Sequence, residues 1–438
     1  MNIPMTLLLA VQVAGADTVN LSLGEALDRA REFNPMLRAE RAEATAVAQG
    51  KLEATRAFLP NVNLDVMGMR STDPVAAFGL KLRQENFAME DLTLDALNRP
   101  DPYSGFTSSV TVELPIVAPE GLFGFAAARR GAAAKNAGAR RAAGATTFMV
   151  TMAYWDAQLA ARKVEALETA LEAARSHAEQ AEAMHAQGMV TGLDSRMARI
   201  GAAAVETQLL AAAAQAENAL SSLKVLLAIP DSVPVALADS LVGPSNSTCG
   251  PGSSACDIDD RGDLEAFRMG RSATAAMVRS AWAKNLPAVA LFGTAAHHGR
   301  STPFGEGSGD WTIGIGVKWN AFAALSGIGA VRRANAEHEA AAARHEAAER
   351  QAALEVTSAE RMLNAATGRV SVAESADAEG EEALDQARLR YRTGAAPITE
   401  LLDVQAAATA ATLQLLEARR DLFVALAALD FAYGVNDR

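Results

Sequence analysis

"YRTGAAPITELLDVQ", residues 391–405, interrupts an alanine-rich helical pattern that otherwise runs from about 330 to about 431. Gly394 and Pro397 are residues that stop a helix, and Glu400 and Asp403 follow at once, three apart and so on one face of a restarted helix. A related interruption, "QGMVTGLDSRM", lies at 187–197. There Asp194 stands six residues after Gly188, and Glu400 stands six after Gly394. A helix broken by a glycine and resumed with a carboxylate at one fixed offset reads as a hairpin of two long helices, and this chain contains the hairpin twice.

The duplication extends outward from the two breaks. "LRAERAEATAVAQGKLEATRAFLPNVNLDV" begins at Leu37 and "LEAFRMGRSATAAMVRSAWAKNLPAVALFG" at Leu264, and each reaches a Leu-Pro pair, at Pro60 and Pro287, after the same 23 residues. Both are helical patterns that give way to alternation. Two tandem copies are therefore expected, at 17–229 and 261–433, joined by a linker at 230–260, with a short tail at 434–438. The first copy is longer because it carries an insert at 71–103, read as a long loop.

Each copy holds two strand signals, expected at 61–70 and 108–116 and again at 288–296 and 310–319. "NVNLDVMGM" places Val62, Leu64 and Val66 on one face, and "SVTVELPI" does the same with Val110, Val112, Leu114 and Ile116. "WTIGIGVKW" is the strongest case, with Trp311, Ile313, Ile315, Val317 and Trp319 alternating with small or polar residues. Two environments suit such strands. One is a soluble antiparallel sheet with one face buried; the other is a membrane barrel, apolar outside and polar inside, with aromatic residues at the interfaces. Four strands cannot close a transmembrane barrel, since bacterial barrels begin at about eight, so membrane strands would have to be shared among several chains.

After each strand pair comes a helical stretch of unusual length. From about 122 to 187 there is no proline, and at 1.5 Å per residue the helix would extend roughly 100 Å. The matching segment runs from about 330 to 392, and shorter helices return at about 194–229 and 399–433, giving helical hairpins at 122–229 and 330–433. Alanine lets such helices pack closely along their length. The fold class expected is mainly α with a small β part.

Composition narrows the function. In 438 residues the aromatic content is only 5%, and the net charge is -12. That charge, with no basic stripe, argues against nucleic acid as a partner. No P-loop, G-x-S-x-G, H-E-x-x-H or dinucleotide fingerprint occurs, so no enzyme activity and no cofactor are expected. The six histidines lack an accompanying cysteine or acidic cluster, so no metal site is expected. "RGD" at 261–263 reads as a chance occurrence at the start of a helix.

Residues 1–16, "MNIPMTLLLAVQVAGA", read as a secretory signal ending in an A-x-A site. No cysteine marks the cleavage point, and no other stretch reaches the roughly 18 apolar residues of a membrane-spanning helix. Cys249 and Cys256 flank a Gly/Pro/Ser-rich loop and are either a disulfide or two thiols.

The order helix, strand pair, long helix, glycine turn, returning helix, written twice behind a signal segment, resembles the TolC-like outer membrane efflux proteins. The motifs that carry the likeness are "LSLGEALDRAREFNPMLRAERAEA" at 21–44, "GMVTGLD" at 188–194 and "ARLRYRTGAAPITELLDVQAA" at 387–407. The resemblance implies a homotrimer whose chains each give four strands to a shared 12-stranded outer membrane β-barrel, with a long α-helical tunnel in the periplasm. It further implies an export duct of a tripartite efflux or type I secretion system, with a periplasmic adaptor, an inner membrane transporter and outer membrane lipid as partners. In that family the hairpin tips lie at the closed periplasmic end. By resemblance, Glu400 and Asp403 fall at a lumen-facing acidic constriction, and Asp194 and Tyr391 fall where some members have a hydrogen-bonded pair. Gly188, Met189, Val190, Leu193, Gly394, Ala395, Ala396 and Pro397 fall on the tips that dock the adaptor. Ala396 stands where some members have an arginine, and Pro397 is a second departure. Taken alone, residues such as Glu400 and Asp403 are more often solvated helix positions, and only the repeat context raises the constriction to an equal reading; Asp194 could simply cap the returning helix. The competing reading of the whole chain is a periplasmic coiled-coil scaffold or pump adaptor with a small soluble sheet.

Overall fold

The structure, a computed structural model, describes residues 19–242, 257–320 and 324–437. The proposed signal segment and both cysteines lie outside the described residues. Packing divides the chain into two compact units, one built from 1–43, 137–265 and 347–438 and the other from 44–136 and 266–346. Each unit thus draws on both halves of the sequence.

In chain order the first unit begins with a three-residue strand, β1 (Val19–Leu21), and helix α1 (Leu23–Phe33). Ser22 caps α1 in a capping box with Glu25, which satisfies backbone groups that a helix start leaves bare. Helix α2 (Pro35–Ala54) restarts at once, with proline at its first position, where the missing N–H costs nothing. The buried Asn34 holds this break: its side-chain amide donates to the Leu226 carbonyl at 2.9 Å, and its Oδ1 accepts the Leu37 N–H at 3.0 Å.

The second unit contains the main sheet. Strand β2 (Asn61–Ser71) leads to two short helices, α3 (Pro74–Arg83) and α4 (Leu94–Asn98), and then to β3 (Tyr103–Val117). The insert expected as a loop is therefore a folded element. Helix α5 (Pro119–Ala186) and the returning α6 (Gly192–Leu226) follow. Strand β4 (Val235–Leu237) pairs in parallel with β1, which puts a strand in the expected linker. Helix α7 (Gly262–Ala283) precedes β5 (Ala288–Gly299) and β6 (Gly307–Lys318), and α8 (Ala324–Arg392) and α9 (Ile398–Ala432) complete the chain. The strands of the main sheet are longer than the alternation alone indicated, at 11 to 15 residues.

The four long strands form one antiparallel sheet in the order β2-β3-β5-β6. Its register aligns Val62, Val112, Gly293 and Ile313 across one face, with Leu64, Val110, Ala295 and Trp311 in the next row. That apolar face is bare: Leu64, Ile313 and Ile315 are exposed, and Trp311 is 74% exposed. The opposite face carries polar pairs, among them Thr111 with Thr294 at 3.1 Å, and His298 between Thr107 at 3.2 Å and Asp310 at 2.9 Å. A soluble sheet buries its apolar face; this one displays it. Trp311 lies within β6 and Trp319 just past its end, a separation that suits aromatics at the two interfaces of a membrane.

The first unit has three apolar clusters along its helices. One surrounds Tyr154 and Trp155, with Trp155 stacked on Phe423 at 4.1 Å. The Tyr154 hydroxyl lies 2.9 Å from both the Leu21 carbonyl and Asp239, which ties β1 and the segment after β4 to α5; burial raises its pKa. A second cluster gathers Leu363, Leu429 and Ala432, and the third lies at the hairpin turns. Arg261, only 2% exposed, holds Asp263 at 2.7 Å, Glu355 at 2.8 Å and the Ala432 carbonyl at 3.0 Å. Arg141 stacks over Phe431 at 3.6 Å and lies 3.4 Å from Asp437, which accepts the Gly262 N–H at 2.9 Å. Arg261, Gly262 and Asp263 stand at the start of a helix, as expected, and there form a packing hub for α7 and the C-terminal segment.

Candidate functional site

Both hairpin turns are built on the same backbone. At the end of α5 the Gly188 N–H donates to the His185 carbonyl at 2.8 Å, and the Met189 N–H to Met184 at 2.9 Å. At the end of α8 the Gly394 N–H donates to Tyr391 at 3.0 Å, and the Ala395 N–H to Arg390 at 2.8 Å. This pair of bonds is the Schellman ending, which requires a left-handed residue just past the helix. Gly188 has φ +74 and Gly394 has φ +72, a region that side chains with a Cβ rarely enter. The glycine spacing thus has a backbone cause at both sites.

Beyond the glycines the two turns diverge. Thr191 is the N-cap of α6 and Asp194 its third helical residue, forming a capping box. The Asp194 carboxylate accepts from the Thr191 N–H at 2.9 Å and from its hydroxyl at 2.7 Å. At the second turn Pro397 is the N-cap of α9 and contributes no side-chain bond. Glu400, in the corresponding position, lies 2.6 Å from Arg390 on α8. Asp403 is exposed one turn further on, and no ion pair reaches it among the described residues.

Tyr391 is 2% exposed, packed with Leu384, Ile398, Leu401, Ala181 and Ala198. Its hydroxyl has no hydrogen-bond partner among the described residues. Burial, with the nearby negative charge of Asp194, raises its pKa. Tyr391 and Asp194 are therefore near enough to interact electrostatically, but Asp194 accepts both Thr191 bonds on its Oδ2 and no hydrogen bond joins it to the Tyr391 hydroxyl. On the outer surface of the turns, Met189 and Leu193 are exposed apolar side chains, Val190 and Ala396 are half-buried, and Ala395 and Pro397 are exposed.

The residues missed in the sequence are Thr191, which gives Asp194 a local capping partner, and Arg390, which partners Glu400. A cation four residues before the glycine, opposite an acid six residues after it, was the available signal.

Comparison with known proteins follows this geometry. The family model for outer membrane efflux proteins matches residues 26–228 and 258–435. The chain belongs to the outer membrane efflux protein family. It is an outer membrane protein of an efflux family, not an enzyme, and the scaffold or adaptor alternative gives way to that assignment. Among solved structures, the fold is similar to the CmeC outer membrane channel of Campylobacter jejuni, with TM-score 0.81 and 16% identity over 99% of this chain and 93% of that one. It is similar also to the MtrE outer membrane channel of Neisseria gonorrhoeae in its open state, with TM-score 0.76 and 19% identity over 97% and 93%. The outer-membrane channel OprN gives TM-score 0.79 and 19% identity over 94% and 89%. No curated protein matches the sequence.

Proposed function

We propose that three copies of this chain form an export duct, the outer membrane component of a tripartite efflux or type I secretion system. The observation that carries the reading is the main sheet: a displayed apolar face, a polar opposite face, and outer edges on β2 and β6 that no strand among the described residues pairs. Within a bilayer an unpaired strand edge leaves its N–H and C=O groups without partners, so the edges must join. Four strands from each of three chains make a barrel of twelve, within the range of bacterial outer membrane barrels. The polar face lines the pore and the helices continue it into the periplasm.

In this duct the hairpin turns form the periplasmic tip. Glu400 and Asp403 from three chains place carboxylates around the constriction, which favours cations, with Arg390 offsetting part of the charge of Glu400. Asp194 holds the tip by capping α6, and Tyr391 holds it by packing between the hairpins rather than by a bond to Asp194. The exposed Met189 and Leu193, with Gly188, Val190, Gly394, Ala395, Ala396 and Pro397, form the surface that a periplasmic adaptor grips, and an inner membrane transporter supplies the energy. The duct conducts passively and is opened by its partners.

Single-channel recording in planar bilayers tests this. The wild type is expected to give small, cation-selective currents, and Glu400→Ala/Asp403→Ala is expected to lose selectivity or gain conductance. A chain that forms no channel and stays soluble without detergent would overturn the duct. A conducting wild type with an unchanged double variant would retain the duct and place the constriction elsewhere.

A further inference from the structure

Strands β2 and β3 are joined by the insert, and β5 and β6 by residues 300–306, so both connections lie at the end of the sheet away from the long helices. The insert does not extend outward from that end; it folds back over the sheet. Its helix α3 starts cleanly, with Asp73 accepting the Ala76 N–H at 2.7 Å and Pro74 at the first position. Ala77, Leu80 and Gln84 form one stripe of α3 and its cap, and all three are buried. What they bury against is decided by Gly105, where an added Cβ would overlap the Gln84 side chain and crowd Leu80.

Register assigns Gly105 to a face. In β3 the apolar face carries Val110 and Val112, and side chains alternate, so position 105 shares the other face with Thr107 and Thr111. The same face supplies every further anchor named here. The Tyr103 hydroxyl donates to Gln84 Oε1 at 2.8 Å, and Lys81 stands 5.4 Å from the centre of the Tyr103 ring. The Ser308 hydroxyl, in register with His298, donates to the Arg83 carbonyl. Backbone contacts complete the clamp: Gln84 Nε2 donates to the Gly299 carbonyl at 3.0 Å, and Arg300 to the Gln84 carbonyl at 3.3 Å.

Helix α3 also has a second apolar stripe. Val75 and Leu82 are seven residues apart and so share a face, which lies across the helix from Ala77, Leu80 and Gln84. Val75 is 81% exposed and Leu82 49%. Met89 and Leu94, further along the insert, are exposed as well. A helix that docks by one apolar stripe on a polar sheet face, and shows another to the space beyond, has something apolar to meet there.

We propose that the insert is an internal plug at the outer mouth of the barrel, and that the occupant of the Val75/Leu82 face is the same insert of the other two copies. The inference rests on the trimeric duct, because closing three sheets into one barrel puts the polar face, and the insert on it, inside. Three inserts then converge on the axis with Val75, Leu82, Met89 and Leu94 between them, which buries surface that a single chain leaves in water. The duct would have two constrictions of different chemistry, an acidic one at the periplasmic tip and an apolar one at the mouth.

The test must read the mouth independently of the tip. In the full chain with Cys249→Ser and Cys256→Ser, Thr111→Cys places one thiol on the polar face below the insert. Maleimide-polyethylene glycol reagents of increasing size are added to the outside of intact cells, with the natural insert and with residues 74–98 replaced by a short Gly/Ser linker. The expected result is that small reagents label both forms, while large ones label the linker form several-fold faster. An identical size limit in both sinks the plug and leaves the duct standing; failure of the smallest reagent to label either form counts against the duct itself. Because the linker form can misassemble, Leu82→Cys in the same cysteine-free background gives a second reading. Oxidation is expected to yield a covalent dimer, whereas Val62→Cys on the lipid face yields none; no dimer at Leu82 overturns the convergence of the inserts.

Discussion

At the first hairpin turn the carboxylate six residues past the glycine is used by its own helix; at the second, the carboxylate in the same place reaches the other arm of the hairpin. Offset by 206 positions, Met184, Thr191 and Asp194 of the first turn correspond to Arg390, Pro397 and Glu400 of the second. Thr191 offers a hydroxyl and an N–H, so Asp194 closes a capping box. Pro397 offers neither, and Arg390 stands where Met184 does, so Glu400 pairs across the turn. Two substitutions on one backbone convert a local cap into a bridge between helices. In the proposed duct the first turn is a hinge of fixed form, and the second is where charge can be traded.

The largest expected effect concerns Tyr391, which belongs to both turns. A buried hydroxyl without a partner costs about 1–3 kcal/mol, so Tyr391→Phe is expected to stabilise the tip by that order. Thermal unfolding of the detergent-solubilised protein measures it. Loss of stability, together with larger single-channel currents, would mean that the hydroxyl is bonded in the assembled channel and that the first turn is a latch after all. Next come the glycines. Gly188→Val and Gly394→Val each force a branched side chain into positive φ, at about 1–2 kcal/mol. Equal losses at the two sites are expected if the backbones are equivalent, and a markedly smaller loss at one would break the comparison at its base.

Much of this is readable in the sequence alone, for reasons that differ from place to place. Glycines 206 apart are visible because a left-handed helix ending admits few other residues. The strands are visible because period two with tryptophans is a strong signal, but whether their apolar face is buried or displayed is not, since a soluble sheet and a membrane barrel share the same alternation. The insert reads as a loop because α3 and α4, at ten and five residues, are too short to show a period. The pairing of β1 with β4 escapes for the same reason, at three residues each and with 213 residues between Leu21 and Val235. Asp194 and Glu400 look equivalent when offset alone is compared; the residues that divide them, Thr191 and Pro397, Met184 and Arg390, lie beside the offset and act through space. The hub of Arg141, Arg261, Glu355 and Asp437 joins four distant positions that no local pattern links.

The capping difference is testable by exchange. Thr191→Ala removes the cap from α6 and is expected to cost about 1 kcal/mol in thermal unfolding, with no change in conductance, since Asp194 sits in a closed local box. Pro397→Ser supplies the missing cap at the second turn. The gain of about 1 kcal/mol is offset by the lost rigidity of proline, roughly 0.4–1 kcal/mol, so stability should hardly move. What should move is selectivity, because Glu400 is drawn from Arg390 to the N–H and hydroxyl that the substitution introduces, and the released arginine lowers cation preference. A change of conductance with Thr191→Ala would mean that the first turn also sets the constriction.

The energetic effect expected at Arg390 is also small, and it separates stability from function most sharply. The Arg390–Glu400 pair is partly exposed, with 56% and 33% of the two side chains accessible, and an ion pair in such a setting contributes no more than about 1 kcal/mol. Arg390→Ala should therefore unfold almost as the wild type does. Its electrostatic consequence is larger, because the removed cation leaves Glu400 beside Asp403 with its charge unopposed in all three chains. Cation selectivity should rise at low ionic strength and fall back toward wild type in about 1 M salt, where the screening length is roughly 3 Å. Arg390→Ala/Glu400→Ala should lie near wild type, since it deletes both charges and leaves Asp403. Met184→Arg completes the set by giving the first turn the cation it lacks. If Thr191 keeps Asp194, the added arginine stays unopposed and cation preference should fall; if selectivity hardly moves, the arginine has drawn Asp194 out of its cap, and the two turns differ by their opposing residue alone.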